Sequence, residues 1–160
     1  MKIIFEQPSG VIAVIHPIEE YMLTHTMEEL ALHSVPEGLP YWIVDDETIP
    51  FDRAFRNAWK YKPDVKEGVD IDIPLAQEIT KTRLRAERKP LLEALDVEMM
   101  RNLQNPIELA RIEAEKQLLR DVTLEVNNLE SVEALKEFTV VDYIRTVEPI
   151  LETIDVKIIS

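Results

Sequence analysis

Three histidines, His16, His25 and His33, come first among residues that could do chemistry, because imidazole is both a metal ligand and a base near neutral pH. They lie nine and eight positions apart, which fits neither an i, i+4 helical metal pair nor a zinc-finger spacing. Each is read as a surface or loop residue. Asp45, Asp46, Glu47 and Asp52 offer hard oxygen donors for calcium or magnesium. They lack the alternate spacing and central glycine of an EF-hand loop, so solvated acids after a strand explain them better. The chain has no cysteine, hence no thiol nucleophile, thiolate zinc site, iron–sulfur centre or disulfide. Three scattered glycines (Gly10, Gly38, Gly68) cannot build a phosphate-binding loop, and no Gly-x-Ser-x-Gly occurs. Nothing brings together a nucleophile, a base and an oxyanion donor. The expectation is a non-enzyme with no cofactor and no metal site.

Recognition by surface side chains is the chemistry left. The segment Lys81-Thr82-Arg83-Leu84-Arg85-Ala86-Glu87-Arg88-Lys89 is a basic cluster, with Arg85 and Arg88 its candidate contact residues. Its competing readings are a solvated helix face and docking onto an acidic tail or acidic neighbour. Upstream, Phe51, Phe55 and Trp59 share one face at i, i+4, i+8 if Arg53–Lys60 is a helical turn, and Arg53 and Arg56 flank it. Aromatic and Arg side chains dominate binding hot spots, so Arg53, Phe55, Arg56 and Trp59 are candidate partner contacts. For Trp59 core is the favoured reading over a contact, since large apolar volume is needed inside.

These clusters sit in an acidic chain of 160 residues, with 18 Lys and Arg against 31 Asp and Glu and a net charge of −13. Such a surface repels nucleic-acid phosphates and anionic lipids, so neither nucleic acid nor membrane is an expected partner. The apolar share of 46% suffices for a core. No apolar run reaches the length of a membrane helix, and the N-terminal one is too short for a signal peptide. Cysteine usage fits a reducing cytoplasm.

The elements that must position these residues read as an α+β chain: a small N-terminal antiparallel β part, an αα-hairpin, and a mixed acidic C-terminal tail. Residues 1–62 are β-rich, 63–72 a linker, 73–121 the helical hairpin, and 122–160 an acidic segment. Lys2–Glu6 and Val11–Ile15 flank the turn-forming Gln7-Pro8-Ser9-Gly10 and predict a β-hairpin that Pro17 ends. Thr26 and Glu29 form a capping-box pattern for a helix over 26–33, and Tyr41–Val44 is a third strand. Asp70-Ile71-Asp72 supplies charge and a cap to the long helix that follows. Leu84, Leu91, Leu95, Met99 and Leu103 mark one face of that helix, which Pro90 should end or kink at Lys89. Asn105-Pro106-Ile107-Glu108 starts the second helix, whose stripe reads Ile107, Ala110, Ala114, Leu118 and which ends near Asp121. Only Gln104 and Asn105 then separate the helices, which implies an antiparallel pair. The tail adds short helices near Ser131–Glu137 and Val141–Val147 and a strand at Ile154–Ile159.

Two segments resemble a known family. Arg83-Leu84-Arg85-Ala86-Glu87-Arg88-Lys89-Pro90-Leu91-Leu92-Glu93-Ala94-Leu95-Asp96, followed by Lys116-Gln117-Leu118-Leu119-Arg120-Asp121-Val122, is similar to phage tail assembly chaperones and tail-fibre assembly-like proteins. There an Arg-x-x-Arg-x-x-Leu-Leu-x-x-x-Asp helix precedes one ending in Leu-Arg-Asp. The stretch Tyr41–Trp59, with Asp45-Asp46-Glu47, Asp52-Arg53-Ala54-Phe55-Arg56 and its closing tryptophan, looks like a segment of small proteins encoded among phage tail genes. This chain has Asp96-Val97 where the family often has Asp-Trp. The resemblance implies a protein that binds other phage tail, baseplate or fibre proteins, or further copies of itself. It would serve as a virion tail component, or as an assembly factor in the host cytoplasm, with no catalytic residues. The alternative is a small acidic regulator or inhibitor that works by charge mimicry.

Overall fold

The computed structural model describes residues 1–62 and 68–147. The chain is α+β and divides into two compact units, Met1–Ala76 and Gln77–Ser160.

In the first unit, β1 (Lys2–Glu6) is the central strand of a three-stranded sheet ordered β2-β1-β3, with β2 at Ile12–Ile15 and β3 at Tyr41–Val44. Both pairings are antiparallel: Ile3 faces Ile15 and Ile43, and Phe5 faces Ala13 and Tyr41. Gly10, at φ +80°, a backbone shape that L side chains resist, closes the β1–β2 turn by donating its amide hydrogen to the Gln7 carbonyl. Ile3, Ile4 and Phe5 are all buried, so both faces of β1 are covered. Two short helices lie between β2 and β3: α1 (Glu19–Met22), which the sequence reading omits, and α2 (Met27–Ser34). On α2 the Thr26 hydroxyl accepts from the Glu29 amide while the Glu29 carboxylate accepts from the Thr26 amide, the reciprocal cap expected.

The second sheet corrects two expectations. Residues 68–71, expected within a linker, form β5 (Gly68–Ile71), paired antiparallel with β4 (Trp59–Lys62). Trp59, expected on a helical face with Phe51 and Phe55, begins β4 instead. Only Arg56–Ala58 is helical, as one 3₁₀ turn. The Asp52 carboxylate accepts the Ala54 amide at 2.9 Å, a local bond that competes with helix. Beyond it, Trp59-Lys60-Tyr61-Lys62 alternates apolar and charged, the period of a strand. Trp59 packs with Ile4, Ile12, Val44 and Val69 into one apolar cluster, against which Trp42, stacked on Tyr61 at 3.8 Å, also packs. Cations and acids alternate on the other face: Lys62 binds Asp70, and Lys60 lies 3.7 Å from Asp72.

α3 (Ile73–Arg101) begins on the Asp72 carboxylate, which accepts the Leu75 amide as expected of a cap. It does not end at Lys89, one of the two outcomes expected of Pro90, but continues through that proline to Arg101. A proline removes one ladder bond, and the strong helix formers on both sides hold the rest. α3 stops at Arg101, so the link to α4 (Pro106–Glu125) is Asn102–Asn105, two residues longer than expected. Asn105 Oδ1 accepts the Ile107 and Glu108 amides. Cross-pairs rise on one helix as they fall on the other, Arg88 meeting Leu119 and Arg120, Asp96 meeting Lys116, Glu98 meeting Arg111. That is an antiparallel hairpin.

The buried stripe of α4 is Ile112, Lys116, Leu119 and Val122, not Ile107, Ala110, Ala114 and Leu118, of which the first three are exposed. A lysine in the buried stripe is part of the reason. Lys116 buries its stem among the helices and delivers its ammonium to Asp96 Oδ1 at 2.7 Å, so a charged residue occupies a core position. On α3, Leu84 is buried as expected, whereas Leu91 and Leu103 are exposed. α5 (Val132–Glu137) starts on the Ser131 hydroxyl, and a further helix, α6, covers residues 140–147. The strand expected at Ile154–Ile159 lies outside the described residues. Among the described residues, no helix is long and apolar enough to cross a membrane.

Candidate functional site

The candidate contact residues are divided between the two units, four in the first and two in the second. In the first unit, Phe55 is buried and Trp59 is 1% exposed, so neither ring has surface to offer a partner. Arg56 is half-buried with its guanidinium 5.4 Å from the Trp59 ring centre, a cation–π contact that engages it inside the fold. Arg53 is exposed, and Phe51, expected to share a face with the other two rings, stands fully in solvent.

In the second unit the basic cluster splits by function. Arg88 donates to the Leu119 and Arg120 carbonyls at 3.0 and 2.7 Å, a bracket between α3 and α4. Arg83 does the same for α5, donating to the carbonyls of Leu135, Lys136 and Phe138 at 3.0, 2.8 and 2.6 Å. Thr80 donates to Leu135 and Gln77 to Leu129, so one side of α3 holds the 129–138 segment by its backbone. Arg85 stays exposed. The acids expected as solvated are so: Asp45, Asp46, Glu47 and Asp52 are all exposed, and Asp46 meets the Met1 amine at 3.1 Å and Lys2 at 3.7 Å. Hydrogen bonding to that amine holds the Asp46 carboxyl below its ordinary range. His16, His25 and His33 are exposed. Among the described residues, no group of three His, Cys, Asp or Glu side chains could hold a metal ion.

The surface best suited to recognition is the tip of the hairpin. Met100 lies at the end of α3, Leu103 in the link and Ile107 at the start of α4, and they are 75%, 67% and 79% exposed; Val97 lies one turn behind Met100, half-exposed. Below the tip a cleft of about 390 Å³ opens between α3, α4 and α6, lined by Leu91, Ala94, Leu95, Leu118, Leu119 and Ile144. Glu98 and Glu115, also on its wall, are both bound by Arg111 and leave it little free charge. The apolar spacing places Leu103 and Ile107 in buried stripes, whereas both are exposed and Met100 is exposed with them. The signal was present in Met100, an apolar residue out of phase with the Leu84–Leu103 face. Comparison with protein-family models, with curated proteins and with solved structures finds no match to this chain.

Proposed function

We propose that this is a non-enzymatic phage tail- or fibre-associated protein that binds other tail proteins, as a virion component or as an assembly factor. The observation that carries the reading is the apolar tip of the α3–α4 hairpin. Three large side chains, each two-thirds or more exposed, end a rigid arm whose two helices are joined by ion pairs and by the Arg88 bracket. Apolar surface gathered on an ordered element marks a protein contact, and the cleft below it suits an apolar helix of the partner. The resemblance of residues 83–96 and 116–122 to tail assembly proteins supplies the class of partner. On the hairpin, Glu98, Glu108 and Glu115 surround Arg111, and Asp96 and Glu113 flank Lys116. Acids neutralised in this way favour docking over charge mimicry.

The test is co-expression with the tail, baseplate and fibre proteins encoded beside it. Met100→Ser, Leu103→Ser and Ile107→Ser combined alter only exposed positions and should leave the circular dichroism unchanged while abolishing co-purification. Undiminished co-purification by the folded triple variant removes the tip from the interface. Co-purification with none of those proteins removes the reading itself.

A further inference from the structure

The apolar cleft of the second unit stands open along α3 and α4. On its wall Leu91 is 40% exposed, Ala94 is exposed, and Leu95 and Leu118 are half-buried. From α6 only Ile144 reaches the wall. Arg111 binds both wall carboxylates, Glu98 and Glu115, so the lining suits an apolar occupant better than a charged one. The described chain leaves that wall at Ile144 and arrives three residues later at Val147, beside Glu125, Asn128 and Leu129. Glu148-Pro149 comes next, and a proline disfavours helix at the residue before it. Residues 148–160 then carry Ile150, Leu151, Ile154, Val156, Ile158 and Ile159, six large aliphatic side chains in thirteen positions. Ile150, Ile154 and Ile158 recur every fourth position, and Ile154, Val156 and Ile158 every second. One apolar stripe therefore results at the helical and at the strand period alike. Reach is ample. Thirteen residues span about 20 Å as helix and about 43 Å extended, against about 10 Å of cleft from Leu91 to Glu98.

We propose that residues 148–160 fold back over this cleft and cover it in the free protein. Apolar surface on the segment and on the wall then leaves water together. The acids Glu152 and Asp155 and the cation Lys157 fall between the aliphatic positions and stay in solvent. A regulatory step follows, which rests on the tail-protein reading. The cleft suits a partner helix, so the partner must displace the segment before it docks. A segment that covers the cleft nine-tenths of the time lowers the partner's apparent affinity about tenfold.

The chain has no cysteine, so introduced pairs report without interference. In the full chain, Ala94→Cys combined with Ile154→Cys is compared with Lys89→Cys combined with Ile154→Cys. Lys89 is exposed and, five positions before Ala94, points away from the cleft. Equilibration with glutathione gives the effective concentration of each pair within one chain, which should be about tenfold or more higher for the Ala94 pair. Equal values, or disulfides that form only between chains, overturn the proposal. Ile150→Ser, Leu151→Ser and Ile154→Ser combined should raise the fluorescence of anilinonaphthalene sulfonate with the circular dichroism unchanged. No rise in a folded variant overturns it equally, and the cysteine measurement stands whatever the serines do to folding. Neither measurement needs a partner, so both can fail while the tail-protein reading survives. With a tail protein that co-purifies, the serine variant should bind about tenfold more tightly than the unaltered chain. Equal affinity overturns the displacement step.

Discussion

Lys116 is the residue whose environment departs furthest from what its type suggests. It is 8% exposed, between α3 and α4, and its ammonium contacts Asp96, Glu113 and the Met99 sulfur. Much of its contribution is stem packing, and a half-solvated carboxylate partner returns little beyond the desolvation it offsets. Lys116→Met should therefore change stability by about 1 kcal/mol or less. Lys116→Glu puts a like charge against two carboxylates and should cost about 3–5 kcal/mol. Urea unfolding of the two variants distinguishes these outcomes; equal losses would mean that charge, not packing, governs the site. Asp70 gives a pH dependence. The Lys62 ammonium hydrogen-bonded to it, helped by the Ile71 amide, holds its carboxyl below the ordinary range. A carboxyl lowered in the folded state stabilises fully above about pH 4 and loses that contribution as pH falls through the lowered value. The acid limb of a stability–pH curve should accordingly flatten in Asp70→Asn, and an unaltered limb would show that this pair contributes nothing.

At the scale of elements, caps and turns decide where the chain changes direction. Asn105 serves two amides at the start of α4, so Asn105→Ala should cost about 1 kcal/mol in chemical denaturation, against little change for the exposed Gln104→Ala. Equal effects would show that packing alone places the turn. Such caps were readable in advance because the signal is local: Thr26 with Glu29, Asp72, Asn105 and Ser131 all act as their types suggest. The same holds for β1, β2 and β3, whose apolar runs are bounded by Gly and Pro. What the sequence hid was non-local. The β4–β5 pair reads as the end of a helical turn plus a linker until each strand supplies the other's partner. The face of α4 was misassigned because Ala110 and Ala114 carry too little apolar area to reveal a stripe, while the true stripe includes a lysine. Of the candidate contacts, Arg53 and Arg85 lie on the surface as read. Trp59 and Arg88 are held by partners far away in sequence, which no spacing rule foretells, and Phe55 is buried.

For the molecule as a whole, the two units can be watched separately. Both tryptophans, Trp42 and Trp59, lie in the first unit, whereas α4, α5, α6 and most of α3 lie in the second. Tryptophan fluorescence thus follows one and helical circular dichroism chiefly the other. Ile4→Ala, which opens space among fully buried residues, should cost about 2–5 kcal/mol and shift the fluorescence midpoint while the dichroism midpoint stays. Lys116→Glu should do the reverse. Coincident shifts in both signals would mean that the units unfold as one. The position of β1 between β2 and β3 has a further consequence, for synthesis on the ribosome. Its partner on one side arrives at once, since Phe5 pairs with Ala13 across a tight turn. On the other side Phe5 waits for Tyr41, thirty-six positions later, and at roughly 5–20 residues per second that is about 2–7 s. A hairpin closes in about 1–10 μs, so once Ile15 is made, and for most of the rest of that interval, the nascent chain displays a finished two-stranded ribbon with one vacant, apolar border. A trigger-factor-like holdase, or slower growth temperature, would act on that border during those seconds and at no later time.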